Sequence, residues 1–177
     1  MNTQNNLSQL ESNDPEVYAA IIGAPILNTS SRRIRQIIEA ADVKNGDVVY
    51  ELGSGMGNIA LAFSENQNVK VVGFELSPIF YFISLVRKWL LKRKNAEFRM
   101  KNFYNADLSG ATIVYFYLMP KSIEKMKEKF DKELKPGTKI ISFGFPIKEW
   151  KAEKIIQGEN LPKVYFYKRP LIPISRV

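Results

Sequence analysis

The sequence predicts an α/β fold: a doubly wound, mostly parallel seven-stranded sheet, with an antiparallel hairpin at one edge and extra helices ahead of the first strand. Three observations predict it. Short apolar runs alternate with longer helical patterns from Asp47 onward. The first five runs are too apolar to leave a wet face, which marks strands of a parallel sheet covered by helices. The last two, "WKAEKIIQ" and "KVYFYKRP", are separated only by "GENLP" and read as an antiparallel pair. A length of 177 residues suits one domain with one sizeable core.

The elements follow in order. The first thirteen residues are polar and expected to be loose. Asp14-Pro15 reads as a helix start, with Asp as cap and Pro at the first helical position. In "SSRRIRQIIEAAD", Ile34, Ile37, Ile38 and Ala41 fall on one helical face. The period then changes. "DVVYEL" is a strand ending in Gly, "GNIALAFSE" a helix, "VKVVGFE" a strand and "SPIFYFISLVRKWLLKRK" a helix. "AEFRMK" and "ATIVYFYL" are strands with a short connection, followed by the helix "KSIEKMKEKFDKEL" and the strand "TKIISFGF". No internal repeat or low-complexity linker divides the chain.

Composition narrows the chemistry. With no Cys, the chain has no disulfides, thiolate metal sites or cysteine nucleophile. With no His, it also lacks the commonest general base and metal ligand. Chemistry must rest on carboxylates, Tyr, Lys, Ser/Thr, backbone groups or a bound cofactor, and no metal is expected. The net charge of +8 suits an acidic partner or an anionic surface, and equally serves solubility. It is uneven: residues 1–30 hold Glu11, Asp14 and Glu16 and no Lys or Arg. The densest basic run is Arg87, Lys88, Lys92, Arg93, Lys94, Arg99 and Lys101. The amino terminus has no basic segment leading into an apolar one, and the most apolar window is broken by Arg87 and Lys88. A cytoplasmic protein is expected, with a peripheral position at a membrane as one alternative.

Gly53, Gly55 and Gly57 lie between the first strand and its helix. Ligands of doubly wound sheets bind beyond the carboxyl ends of the strands, where glycines admit positive φ and close backbone approach. A dinucleotide fingerprint counted from Gly53 requires glycine at 58, where Asn58 stands. Two acids complete the pattern. Glu51 precedes the first glycine by two residues; it would repel a pyrophosphate and favour a ligand carrying ammonium and sulfonium charge. Glu75 ends the second strand, placed to accept both hydroxyls of a ribose. A purely structural turn and a solvated strand end are the plain alternatives.

"YELGSGMGN" and "VVGFELSP" resemble the first and second motifs of class I S-adenosyl-L-methionine-dependent methyltransferases, whose sheet is Rossmann-like. "NFYNADLSGATIVYFYLMP" and "KELKPGTKIISFGFPIKEW" are similar to the small protein-lysine methyltransferases related to the ATP-synthase c-subunit enzyme. "PILNTS" is similar to a Pro-aromatic-x-x-Thr segment of that family, with Ile26 replacing the aromatic. The resemblance spans roughly residues 23–155. It implies S-adenosyl-L-methionine as cofactor, with Glu51, Gly53, Gly55 and Gly57 at its methionine and ribose portion and Glu75 at the ribose. It places Asn102 and Phe103 at the adenine, although many relatives carry Asp at the first of these. Pro25, Thr29, Ser54, Asn58 and Leu76 complete the implied cofactor set.

The acceptor side needs a positioned nucleophile with a free lone pair. A lysine amine must first lose its proton, which at pH 7 costs about 3.4 pK units or roughly 4.6 kcal/mol. Aromatic walls lower that cost by desolvation, and hydroxyls orient the amine. In "VYFYLMP", Tyr115, Tyr117 and Pro120 are the catalytic candidates, with Tyr115 and Tyr117 on one strand face and Phe116 on the other. Core filling by these aromatics is the alternative. Methyltransferases of adenine, cytosine or glutamine amines carry Asn/Asp-Pro-Pro-aromatic where this chain has "YLMP". Phe143, Phe145, Pro146 and Trp150 either line the acceptor channel or seal the sheet edge. Ile79 to Ile83 are apolar around the whole helix, which fits burial under the amino-terminal helices or contact with a membrane surface or apolar partner.

The expected function is protein-lysine N-methylation. RNA or small-molecule and lipid methylation, and non-catalytic cofactor binding, are the alternatives.

Overall fold

Strands that are apolar on both faces must lie between two layers of helices, and this requirement organises the molecule. The computed structural model describes residues 29–158 and 161–170. Asp14-Pro15, the polar first thirteen residues and Pro25 lie outside the described residues. In chain order the elements are α1 (Ser31–Ala41), β1 (Val48–Leu52), α2 (Asn58–Phe63), β2 (Lys70–Glu75), α3 (Pro78–Leu90) and β3 (Ala96–Met100). A 3-10 turn (Phe103–Asn105) leads to β4 (Ile113–Phe116), α4 (Pro120–Glu133), β5 (Lys139–Phe143), β6 (Lys154–Gly158) and β7 (Leu161–Lys168).

The sheet order is β3-β2-β1-β4-β5-β7-β6. The first five strands are parallel, while β7 runs antiparallel to both β5 and β6. The doubly wound sheet with an antiparallel edge hairpin is therefore the expected one. Strand order reverses between β1 and β4, so the crevice for a ligand opens at their carboxyl ends.

Alternation along each strand divides the core in two. Val49, Val71, Ile113, Tyr115, Ile141 and Phe166 meet Ile34 and Ile37 of α1 and Ile59 and Phe63 of α2. On the other face, Leu52, Val72, Val114, Phe116 and Ile140 meet Ile123, Met126 and Phe130 of α4. The Phe116 and Phe130 rings stack there with centroids 5.6 Å apart.

Two details depart from the sequence expectation. β4 stops at Phe116, leaving Tyr117 beyond the ladder. The 3-10 turn arises because Asn102 Oδ1 accepts from the Tyr104 amide at 3.0 Å, bending the chain after β3.

A local cap and long-range polar contacts fix α1. Ser30 caps it by accepting from the Arg33 amide at 3.3 Å. The Arg33 side chain is buried, and its Nη2 donates to the carbonyls of Ile156 (3.2 Å) and Pro162 (2.9 Å). At the other end Lys139 Nζ donates to the carbonyls of Ala41 (2.9 Å) and Asp42 (2.5 Å), satisfying orphan helix acceptors. Arg33→Met should cost about 2–4 kcal/mol, because two carbonyls lose a charged donor inside the protein. Chemical denaturation should show this as a lower midpoint with unchanged slope.

Candidate cofactor and acceptor site

The loop after β1 is shaped by three residues in the left-handed region: Gly53 (φ 77°), Gly55 (φ 50°) and Gly57 (φ 77°). Its amides are stitched to the end of β2. Gly53 and Ser54 both donate to the Phe74 carbonyl, at 3.0 and 2.9 Å. Glu75, which ends β2, is buried; its Oε2 accepts from the Gly55 amide and its Oε1 from the Ser77 amide, both at 2.7 Å. An ionised carboxylate has about four acceptor sites, so two remain for ligand hydroxyls.

The structure separates the three glycines. A Cβ added at Gly53 or Gly55 would meet nothing within 4 Å, so bare backbone there faces open space that a ligand can enter. A Cβ at Gly57 would lie 2.6 Å from the Phe98 ring, so that glycine is required by packing against β3 and α3. Ser54 points inward, and Asn58 accepts from Arg87 Nη1 at 2.6 Å, tying α2 to α3. Arg87 also donates to the Met56 carbonyl at 2.6 Å.

Glu51 lies under the loop, only 4% exposed, and accepts from the Ala60 amide in the first turn of α2 at 2.9 Å. Burial pushes its carboxyl up to about 8, opposed by the Ala60 amide and reinforced by Glu75. A cation brought into the loop would restore the ionised form. Asn102 and Phe103 are half-buried beyond β3; the Asn102 oxygen is engaged by Tyr104, and the Phe103 ring tilts over that of Tyr104 at 4.5 Å. Leu76 is half-buried between Glu75 and Ser77, and Thr29 lies one residue before the Ser30 cap.

The acceptor candidates divide. Tyr115, expected to contact the acceptor, is 3% exposed within the core, and burial raises its phenol well above the ordinary value. It is a core wall, because its strand neighbours Glu51 and Ile141 enclose it. Tyr117 is half-buried, edge-on to Phe143 at 5.3 Å and parallel to Phe145 at 6.4 Å. Gly144, at φ 89°, makes this possible: a Cβ there would lie 2.7 Å from the Tyr117 ring. The sequence reading did not select Gly144; its signal was a glycine between two aromatics at a strand end. Pro120 is the first residue of α4 and borders a cleft of about 140 Å³ with Ile123, Glu124, Phe145, Pro146 and Lys148. Trp150 is instead buried in the core on the α4 face of the sheet, packed edge-on against Tyr167 of β7 at 6.2 Å.

This geometry of bare glycine backbone, two buried acids and an aromatic cluster at the end of the sheet agrees with the comparisons. A family model, the ANTKMT methyltransferase domain, matches residues 51–154. This chain belongs to that methyltransferase family. It is an S-adenosyl-L-methionine-dependent methyltransferase. A protein-lysine N-methyltransferase of Saccharolobus islandicus is 34% identical over 143 residues, covering 77% of this chain and 86% of that protein. The adenine nucleotide translocase lysine N-methyltransferase of Mus musculus is 24% identical over 144 residues; the match covers 81% of this chain and 62% of the mouse protein. A crystal structure of an RNA methyltransferase from Salinibacter ruber in complex with S-adenosyl-L-homocysteine is similar at a TM-score of 0.78 and 30% identity. It covers 82% of this chain and 96% of that one.

Glu75→Ala should weaken S-adenosyl-L-methionine binding by about 1.5–3 kcal/mol, through lost charge-assisted hydrogen bonds and a released Gly55 amide. Titration calorimetry measures it; unchanged affinity would reduce Glu75 to a loop anchor. A second prediction concerns Glu51. Its folded value of about 8 lies above the ordinary 4.5, so the folded state binds the extra proton. That contribution to stability is complete below about 4.5 and lost as pH rises through about 8. Melting temperatures of the ligand-free protein should therefore decline across this window, and Glu51→Gln should flatten the decline.

Proposed function

We propose that this methyltransferase acts on the ε-amine of a protein lysine, with Tyr117 orienting the acceptor and the two acids and glycine loop orienting the donor. The observation that carries the reading is the aromatic wall of Tyr117, Phe143 and Phe145 at the carboxyl end of the sheet, in a chain without histidine. It suits an acceptor whose activation is mainly desolvation. The Saccharolobus islandicus relative, named as a protein-lysine N-methyltransferase, supports it.

The bound cofactor supplies an electrophilic methyl on a sulfonium sulfur, whose departure as a thioether needs no acid. Gly53 and Gly55 leave backbone bare for the donor's methionine portion, and Glu75 takes the ribose hydroxyls. Glu51 gains a counter-charge when a cation enters above it. Phe145 and Tyr117 exclude water from the incoming lysine stem, which lowers the amine's affinity for its proton. The Tyr117 hydroxyl oxygen accepts from an N–H of the neutral amine and leaves its lone pair free to face the methyl. Asn102 and Phe103 border the adenine, and Pro120 and Pro146 edge the acceptor entrance.

RNA methylation is the second reading, favoured by the name of the Salinibacter ruber protein. "YLMP" after β4 lacks the side-chain carboxamide or carboxylate and second proline that base-amine methylation uses, and this weighs for lysine. We propose a cytoplasmic protein, with a peripheral position at a membrane as the alternative. No helix among the described residues is long and apolar enough to cross a membrane.

Incubating the protein with methyl-labelled S-adenosyl-L-methionine and cell lysate tests the acceptor. Label should be released by protease and recovered on lysine; release by nuclease would overturn the reading. The methyl-transfer rate should rise about tenfold per pH unit below the effective pKa of the amine, since only the neutral amine reacts. Tyr117→Phe should lower kcat while leaving cofactor affinity unchanged.

A further inference from the structure

We propose that α3 docks this protein on an anionic membrane surface, laying its outer face into the headgroup boundary. The inference does not depend on which atom is methylated.

The outer face of α3 is apolar and uncovered. Ile79, Phe82, Val86, Trp89 and Leu90 are 70%, 60%, 56%, 76% and 62% exposed. Their spacing confines them to one stripe about 100° wide on the helix, opposite buried Ser84. Scattered surface apolars are ordinary, but a contiguous stripe ending in a tryptophan is not. Membrane-surface helices show this pattern: Trp, Phe and Leu on one face, with Lys and Arg beside it.

Charge selects the occupant. Between Leu76 and Asn95 there are five cations, Arg87, Lys88, Lys92, Arg93 and Lys94, and no Asp or Glu. Arg87 is turned inward to Met56 and Asn58, and Arg93 pairs with Glu65 at 3.2 Å. Lys92 and Lys94 are exposed just past the end of the stripe, with no ion pair to an acid among the described residues. A second copy docked helix to helix would bring five more cations and no carboxylate from this element. Anionic lipid supplies both what the stripe and what the lysines lack.

The position has a consequence for access. α3 begins directly after Ser77, whose amide is held by the Glu75 carboxylate, so the first turn of the helix starts at the end of β2, next to the glycine loop. Docking through α3 brings the rim of the site to headgroup level, where lysines at the ends of membrane-embedded segments are found.

The test uses the full chain and vesicles of phosphatidylcholine with or without an equal part of phosphatidylglycerol. The protein should sediment with the anionic vesicles only, less so at high salt, and Trp89 emission should move to the blue; Trp150 is already buried. Phe82→Asp and the Lys92→Glu/Lys94→Glu double variant should each lower vesicle affinity at least tenfold, with cofactor affinity unchanged as proof of folding. Trp89→Phe should abolish the emission shift and retain sedimentation. Failure of the parent protein to bind anionic vesicles, or undiminished binding by Phe82→Asp, overturns the proposal. So does a blue Trp89 emission in the lipid-free protein, which in a dimer would mean a second copy and in a monomer a covering segment of the same chain. Capture by polyglutamate beads but not by vesicles would assign the surface to an acidic protein and equally overturn it.

Discussion

The Glu75 carboxylate, shared between the amides of Gly55 and Ser77, is the contact on which the site depends. Glycines in the left-handed region lose more conformational freedom on folding than other residues, so a loop of three holds its shape only if anchored. Glu75 anchors it from the next strand and also begins α3, through the amide just before Pro78. One side chain thus sets the position of the loop, the end of β2 and the start of the helix. Its remaining acceptor sites are consequently fixed in space ahead of any ligand, which would reduce the ordering cost of binding one there.

Glu51 is held differently. It is buried beneath the loop with one amide donor, and its carboxyl is pushed up to about 8. The two acids lie at the ends of neighbouring strands, yet only Glu75 has two amide donors. The arrangement keeps negative charge in reserve beneath the loop until a cation compensates it.

α3 carries structure on one face and an open apolar stripe on the other. Its inner face supports the glycine loop through Ser84, which lies 3.3 Å from a Cβ at Gly57, and through Arg87 on Met56 and Asn58. Contacts on the outer face are therefore made by the same rigid element that holds the cofactor loop. Under the proposed docking, contact with a surface would orient the crevice without deforming it.

The succession of strands and helices, the edge hairpin, the glycine turn and the two strand-end acids were legible in the sequence, because each is a local pattern. Runs of apolar residues define covered strands, and a motif of seven residues from Glu51 to Gly57 bends wherever its own φ values allow. What each side chain meets was not legible, because the partners come from distant segments. Tyr115 and Tyr117 share a strand face, yet β5 encloses one and the early end of β4 frees the other. Gly53, Gly55 and Gly57 look equivalent, yet Phe98, forty-one residues after Gly57, gives only the last a packing role. Phe145 and Trp150 lie in one aromatic segment, but Tyr117 draws the first to the site and Tyr167 holds the second in the core. The sequence determined the fold and the donor motif through short-range stereochemistry and periodicity. Tertiary packing decided which aromatics are buried in the core and which stay open at the end of the sheet, and which face of α3 stays uncovered, since burial depends on what the rest of the chain brings against a residue.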